Sequence, residues 1–216
     1  MKKINMVDLN GQYRKIRWQV NREIKKVINT SSFVNGPIVK EFQNNLQEYL
    51  GVKHVIPCAN GTDALQIALM ALDLKIGDEV ITTNFSFAST IEVILLLGLK
   101  PVVIDIDPRT FNINPDLIQD KISNKTKAII PVHLFGQSCR MEEILEISNK
   151  NNIQVIEDNA QALGSKYKFS NSQKQMSGTI GDIATTSFYP TKNLGCYGDG
   201  GAILTNSDNL AYKMRG

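Results

Sequence analysis

The sequence predicts an α/β domain of three layers, α/β/α, built on a mostly parallel sheet. From residue 54 onward, short β-rich runs alternate with helix-length segments, the order that winds a parallel sheet. Those runs are continuously apolar instead of alternating, as expected of strands covered by helices on both faces. The chain has 216 residues, 42% of them hydrophobic, enough to bury one sizeable core.

Two helices precede the alternating region. Residues 12–28 set Ile16, Val20, Ile24, Val27 and Ile28 three and four apart among charged neighbours, an amphipathic helical stripe. The Asn35-Gly36-Pro37 break then starts a second helix with proline in its first turn and Phe42, Leu46, Tyr49 and Leu50 on one side. Strands follow over 55–58, 79–82, 101–106, 128–134 and 154–157, separated by helices over 62–72, 88–97, 115–122 and 141–150. The stretch 166–177, rich in Ser, Lys and Gln, reads as a solvated loop. Residues 183–188 and 202–205 read as two strands joined by a glycine-rich loop, and a last helix begins near Ser207. In domain terms, residues 1–50 form a helical segment packing on a large domain of residues 51–216.

Composition removes several functions. The formal charge of +3 arises from 24 basic and 21 acidic residues mixed along the chain, so no basic block tracks a nucleic-acid backbone. The first residues carry charge but no apolar signal core, and Ile91–Leu97 is too short to cross a bilayer, so a cytoplasmic protein without membrane insertion is expected. Cys58, Cys139 and Cys196 lack disulfide or zinc spacing and are expected to be buried thiols. No metal site is expected, because His54 and His133 are not clustered with carboxylates, and His133 reads as a satisfied core or pocket-edge residue.

Ligands of open α/β sheets gather at the carboxyl ends of strands, which draws attention to three places. In Cys58-Ala59-Asn60-Gly61-Thr62-Asp63, a strand end runs through glycine into a helix whose free amides, with the Thr62 hydroxyl, suit a phosphate; Thr62 or Asp63 acting only as a helix cap is the alternative. In Val155-Ile156-Glu157-Asp158, alternation turns the two acids to opposite faces, so one of them acts alone, either as a cap or as a fixed anion. In Ser187-Phe188-Tyr189-Pro190-Thr191-Lys192, a lysine follows a strand and is held between proline and a glycine cluster. That cluster precedes a strand, so it is not the dinucleotide fingerprint.

In order and spacing these places resemble the DegT/DnrJ/EryC1/StrS family of sugar aminotransferases. Met6-Val7-Asp8-Leu9, Gly77-Asp78-Glu79-Val80, Asp105-Ile106-Asp107-Pro108, Val132-His133-Leu134-Phe135-Gly136 and Ala160-Gln161 extend the likeness over nearly the whole chain. The resemblance implies the large domain of the fold type I transferases dependent on pyridoxal 5'-phosphate (PLP). It implies that Lys192 binds the cofactor covalently and moves protons as base and acid, with Asp158 paired to the pyridinium nitrogen. Gly61, Thr62, Asp63 and Ser187 would receive the phosphate, Gln161 the ring hydroxyl, and Phe87 the ring face. From the residues alone, Phe85 and Phe87 could equally fill the core.

The resemblance further implies a nucleotide-sugar substrate, an amino-acid donor such as glutamate, a homodimer, and a C-terminal small domain absent from this chain. The segments around Asn60 and Gly198 look most like members acting on UDP-linked 3-keto sugars in surface polysaccharide and lipopolysaccharide synthesis. Two alternatives are a sugar dehydratase, which typically carries histidine in place of Lys192, and a non-catalytic fragment. Thr83-Asn84 stands where many relatives have proline before the aromatic segment.

Overall fold

A computed structural model describes residues 6–216; Met1–Asn5, part of the segment inspected for a targeting signal and of the 1–50 helical segment, lie outside the described residues. Helix α1 (Leu9–Thr30) and α2 (Pro37–Leu50) lead into β1 (His54–Cys58), α3 (Gly61–Ala71), β2 (Glu79–Thr83), α4 (Ser89–Leu96) and β3 (Lys100–Ile104). Then come β4 (Thr126–Ile130), α5 (Met141–Asn151), β5 (Gln154–Asp158), the short pair β6 (Lys166–Lys168) and β7 (Lys174–Met176), β8 (Ile183–Ser187), β9 (Gly201–Thr205) and α6 (Asp208–Arg215). Among the described residues no helix is long and apolar enough to cross a membrane.

Seven strands form one sheet in the order β1-β9-β8-β5-β4-β2-β3. Only β9 runs against its neighbours; the β8, β5, β4, β2 and β3 pairings are parallel. In every strand of this sheet but the edge strand β3, successive residues enter different clusters. Ile56, Val80, Ile130, Ile156, Ile183 and Ile203 pack with Leu65, Ala68 and Leu69 of α3 and Val93 and Ile94 of α4. On the opposite face, Ile81, Ile129 and Val155 meet Met141 and Ile144 of α5, while Val55, Ala184 and Leu204 meet Leu46 and Leu50 of α2. Burial on both faces is why the strands read as unbroken apolar runs. Each large side chain so buried contributes roughly 1.5–3 kcal/mol relative to exposure.

Four expectations change. Residues 115–122 form two 3-10 turns, Pro115–Leu117 and Gln119–Lys121, and not an α-helix. The segment is too short to nucleate an α-helix alone, and threefold winding turns buried Pro115 and Ile118 to the same side. The strand expected over 128–134 starts at Thr126 and ends at Ile130, before Pro131, so His133 stands beyond it at a 3-10 turn. The loop expected over 166–177 is the hairpin of β6 and β7, whose pairing rests on backbone bonds that need no apolar residues. Finally, α1 winds as expected but buries none of its residues, so the Ile16, Ile24 and Ile28 stripe stays exposed.

Candidate active site

Because β9 runs against β1 and β8, its first residue meets their last: Gly201 pairs with both Cys58 and Ser187. Asp158 ends the parallel strand β5 at the same edge, in register with Thr185 of β8. A cavity of about 670 Å³ opens there. All eight residues expected at the site line it: Gly61, Thr62 and Asp63 from α3, Phe87 from the segment before α4, Asp158 and Gln161 from the end of β5 onward, and Ser187 and Lys192 from the end of β8 onward.

The start of α3 makes the anion cup. Asn60, in extended conformation, is the helix cap; its Oδ1 accepts from the Asp63 amide at 2.8 Å, so neither Thr62 nor Asp63, the alternative reading of this segment, is the cap. The Asp63 amide is thereby used, whereas the Gly61 and Thr62 amides have no acceptor among the described residues. A Cβ on Gly61 would stand 2.8 Å from Ser187 Cβ, and one on Gly201 would strike the Asn60 carbonyl, so glycine at both positions lets β8, β9 and the helix start close together. Ser187 Oγ accepts from the Tyr189 amide at 3.3 Å, leaving its proton free to donate. Two amides and a hydroxyl converging at a helix N-terminus favour a phosphate.

Asp158 is 5% exposed. Its Oδ2 accepts from the Thr90 hydroxyl at 2.9 Å and its Oδ1 from the Ala160 amide at 3.2 Å. Burial pushes its carboxyl above the usual range, opposed by the Thr90 and Ala160 bonds and by the nearby charge of Lys192. A cation placed against it gains a partner that the fold has already desolvated. Lys192 is held through its own amide, which donates to the Tyr189 carbonyl at 2.8 Å. Phe87 is 69% exposed and faces the cavity, and Phe85 leaves the core to meet Phe111 at 5.9 Å between ring centres, so neither fills the interior.

Glu157 faces away from Asp158, as alternation requires. Fully buried, it accepts from the Gly178, Ile180 and Gly181 amides at 2.8, 2.6 and 2.6 Å and bonds His133 Nε2 at 2.8 Å. The Cys139 amide donates to His133 Nδ1 at 3.1 Å, which leaves Nε2 as the ring donor to Glu157. This pair holds the turn that enters β8, and Asp158 is the carboxylate left to the cavity. Of the cysteines only Cys139 is fully buried; Cys58 is partly covered, with its thiol pushed up to about 11 by burial, and Cys196 remains partly exposed. Sequence reasoning missed Asn60 as the cap and Thr90 as the donor to Asp158. Their signals were present, an Asn before a helical run and a hydroxyl in the first turn of α4.

An anion cup, a buried carboxylate and a lysine around one cavity define a doubly wound domain able to hold a phosphorylated, cationic ring. The chain belongs to the DegT/DnrJ/EryC1/StrS aminotransferase family, whose profile matches residues 14–216. It is 47% identical over 98% of its length to UDP-2-acetamido-2-deoxy-3-oxo-D-glucuronate aminotransferase of Pseudomonas aeruginosa, of which it covers 58%. The crystal structure of a family aminotransferase from Brucella abortus superposes with a TM-score of 0.92 at 42% identity, covering 99% of this chain and 58% of that one. NtdA of Bacillus subtilis, solved with its bound cofactor PMP, superposes at 0.89 with 36% identity, covering 99% of this chain and 47% of that one. The chain thus spans about half the length of these relatives. A PLP-type cofactor fits the donors present here, since free amides and the Ser187 hydroxyl match a phosphate and buried Asp158 matches a protonated ring nitrogen.

Proposed function

We propose that the complete protein is a PLP-dependent aminotransferase that moves an amino group from an amino acid, glutamate in the first instance, to a keto-sugar carried on a nucleotide diphosphate. The observation that carries this reading is that Lys192 and buried Asp158 line one cavity with the unpartnered amides of Gly61 and Thr62. The likeness to an aminotransferase of a UDP-linked 3-oxo-glucuronate supports a UDP-linked 3-keto sugar as acceptor, in surface polysaccharide and lipopolysaccharide synthesis. A homodimer in the cytoplasm, and a small domain following this large one, belong to the same proposal.

When bound, the cofactor would supply an electron sink for the electron pair left at the donor's α-carbon. Gly61, Thr62 and Ser187 hold its phosphate, with the positive end of the α3 dipole behind them. Asp158 keeps the ring nitrogen protonated, which requires the carboxylate form, so Thr90 and the Ala160 amide take part by favouring that form. Phe87 would cover one ring face and Gln161 would donate to the ring hydroxyl. Lys192 Nζ would hold the cofactor and, as base and acid of a two-way transfer, would take a proton from the donor's α-carbon and return one.

Incubation of the complete protein with PLP, glutamate and a UDP-linked 3-keto sugar should yield 2-oxoglutarate and a UDP-amino sugar in equal amounts, read by mass spectrometry. A deoxygenated sugar, or neither product, would overturn the reading.

A further inference from the structure

Outside the groups already assigned, the most constrained feature beside the cavity is the turn Leu134-Phe135-Gly136. Phe135 adopts φ 54°, ψ 24°, a left-handed conformation that disfavours any residue with a Cβ. Its ring is 74% exposed, so no packing within the chain holds it there. Besides the backbone bonds from the Gln137 amide to the Leu134 carbonyl and from the Leu134 amide to the Val132 carbonyl, both 3.0 Å, the turn is held by Asn112, a nearly fully buried residue lying between β3 and β4 in the chain. The Leu134 amide donates to Asn112 Oδ1 at 3.0 Å, and Asn112 Nδ2 donates to the Gln137 carbonyl at 2.9 Å, so one side chain grips the turn on both sides. The same turn aims the Phe135 amide at Gln161 Oε1, 3.0 Å away. A backbone N–H can only donate, which fixes both side-chain amides: Asn112 presents oxygen to Leu134, and Gln161 presents oxygen to Phe135. Gln161 therefore has Nε2 left for the cavity it lines.

We propose that Asn112 is a positioning residue: by holding Phe135 left-handed it orients the Gln161 amide so that a donor, not an acceptor, faces the cofactor oxygen. The proposal rests on the role given to Gln161 above. Without the clamp, the turn relaxes toward the right-handed or extended region, the Phe135 amide leaves Oε1, and Gln161 can turn either end inward. Glycine has no left-handed penalty, so replacing Phe135 by glycine should let the turn keep its shape without Asn112. That compensation separates positioning from plain stability, since glycine restores neither bond that Asn112 makes.

The test measures PLP affinity, the pH midpoint of the bound cofactor's absorbance, and hydrogen exchange at the Phe135 amide, in the full chain. Asn112→Ala is expected to weaken PLP binding about tenfold, move the absorbance midpoint and expose the Phe135 amide to exchange. The double variant Asn112→Ala with Phe135→Gly should recover affinity to within about threefold and recover the midpoint while its melting temperature stays low. Phe135→Gly alone should bind as the parent does. If Asn112→Ala does not fold, Asn112→Asp serves, because it still accepts from Leu134 but sets a carboxylate oxygen against the Gln137 carbonyl. An unprotected Phe135 amide in the parent, parent-like binding by the Asn112 variant, or no recovery in the double variant overturns the proposal. Gln161→Ala separates the two claims. Parent-like affinity and absorbance in that variant remove the role of Gln161 toward the cofactor, while loss of Phe135 amide protection in it still upholds the orientation.

Discussion

Replacing Thr90 by valine should raise the pH at which the protein begins to hold its cofactor. The Thr90 hydroxyl and Asp158 Oδ2 lie 2.9 Å apart, at 1% and 5% exposure, so water cannot replace the bond. Valine keeps the shape and removes the donor. A hydrogen bond to a charged group contributes about 1.5–3 kcal/mol. Its loss moves the Asp158 midpoint further upward. Burial has already raised that midpoint, and the Thr90 bond is the foremost opposing contact. Asp158 holds a protonated ring nitrogen only as the carboxylate, so affinity should rise with pH through the Asp158 midpoint and later in the valine variant. Fluorescence titration with PLP across the acid to neutral range measures both limbs. Superimposable curves for parent and variant would refute the reasoning.

Asp158→Asn should have opposite effects on stability and binding. A carboxyl whose folded midpoint is raised contributes stability below its unfolded value, about 3.9, and loses it as pH climbs through the folded midpoint. At neutral pH the asparagine variant, still able to meet Thr90 and Ala160, should therefore melt higher than the parent in the absence of PLP, yet retain PLP poorly on gel filtration. Gly61→Ala puts a Cβ 2.8 Å from Ser187 Cβ and should weaken PLP binding by about tenfold or more, with inorganic phosphate losing its protection in a thermal shift assay. Glu157→Ala strands the buried Gly178 amide, the partly buried Ile180 and Gly181 amides and the buried His133 ring, and urea unfolding should show a loss of about 3–5 kcal/mol.

The parallel sheet was legible because both faces are covered. Ile129 and Ile130, or Val155 and Ile156, must all be apolar when adjacent residues enter different clusters. The site was legible where chemistry follows a strand end, as at Asp158, Ser187 and Gly61. Hydrogen-bonded pairs distant in sequence were not: Thr90 and Asp158 are 68 residues apart, and Asn112 grips carbonyl and amide groups 25 and 22 residues away. Neither partner carries a pattern that names the other. The β6 and β7 hairpin was hidden for a related reason, since its polar sequence resembles that of a solvated loop. Helix α1 shows the converse, because its periodicity announced a helix but could not say that the apolar stripe stays uncovered within this chain.

The most direct test of the account is borohydride reduction of the protein in complex with PLP, followed by proteolysis and mass spectrometry. The account predicts a single phosphopyridoxyl mass addition on the peptide containing Lys192, absent from Lys192→Ala, which should also lack the absorbance band of the covalently held cofactor. Labelling of another lysine in the parent, or an unchanged absorbance band in Lys192→Ala, would contradict it.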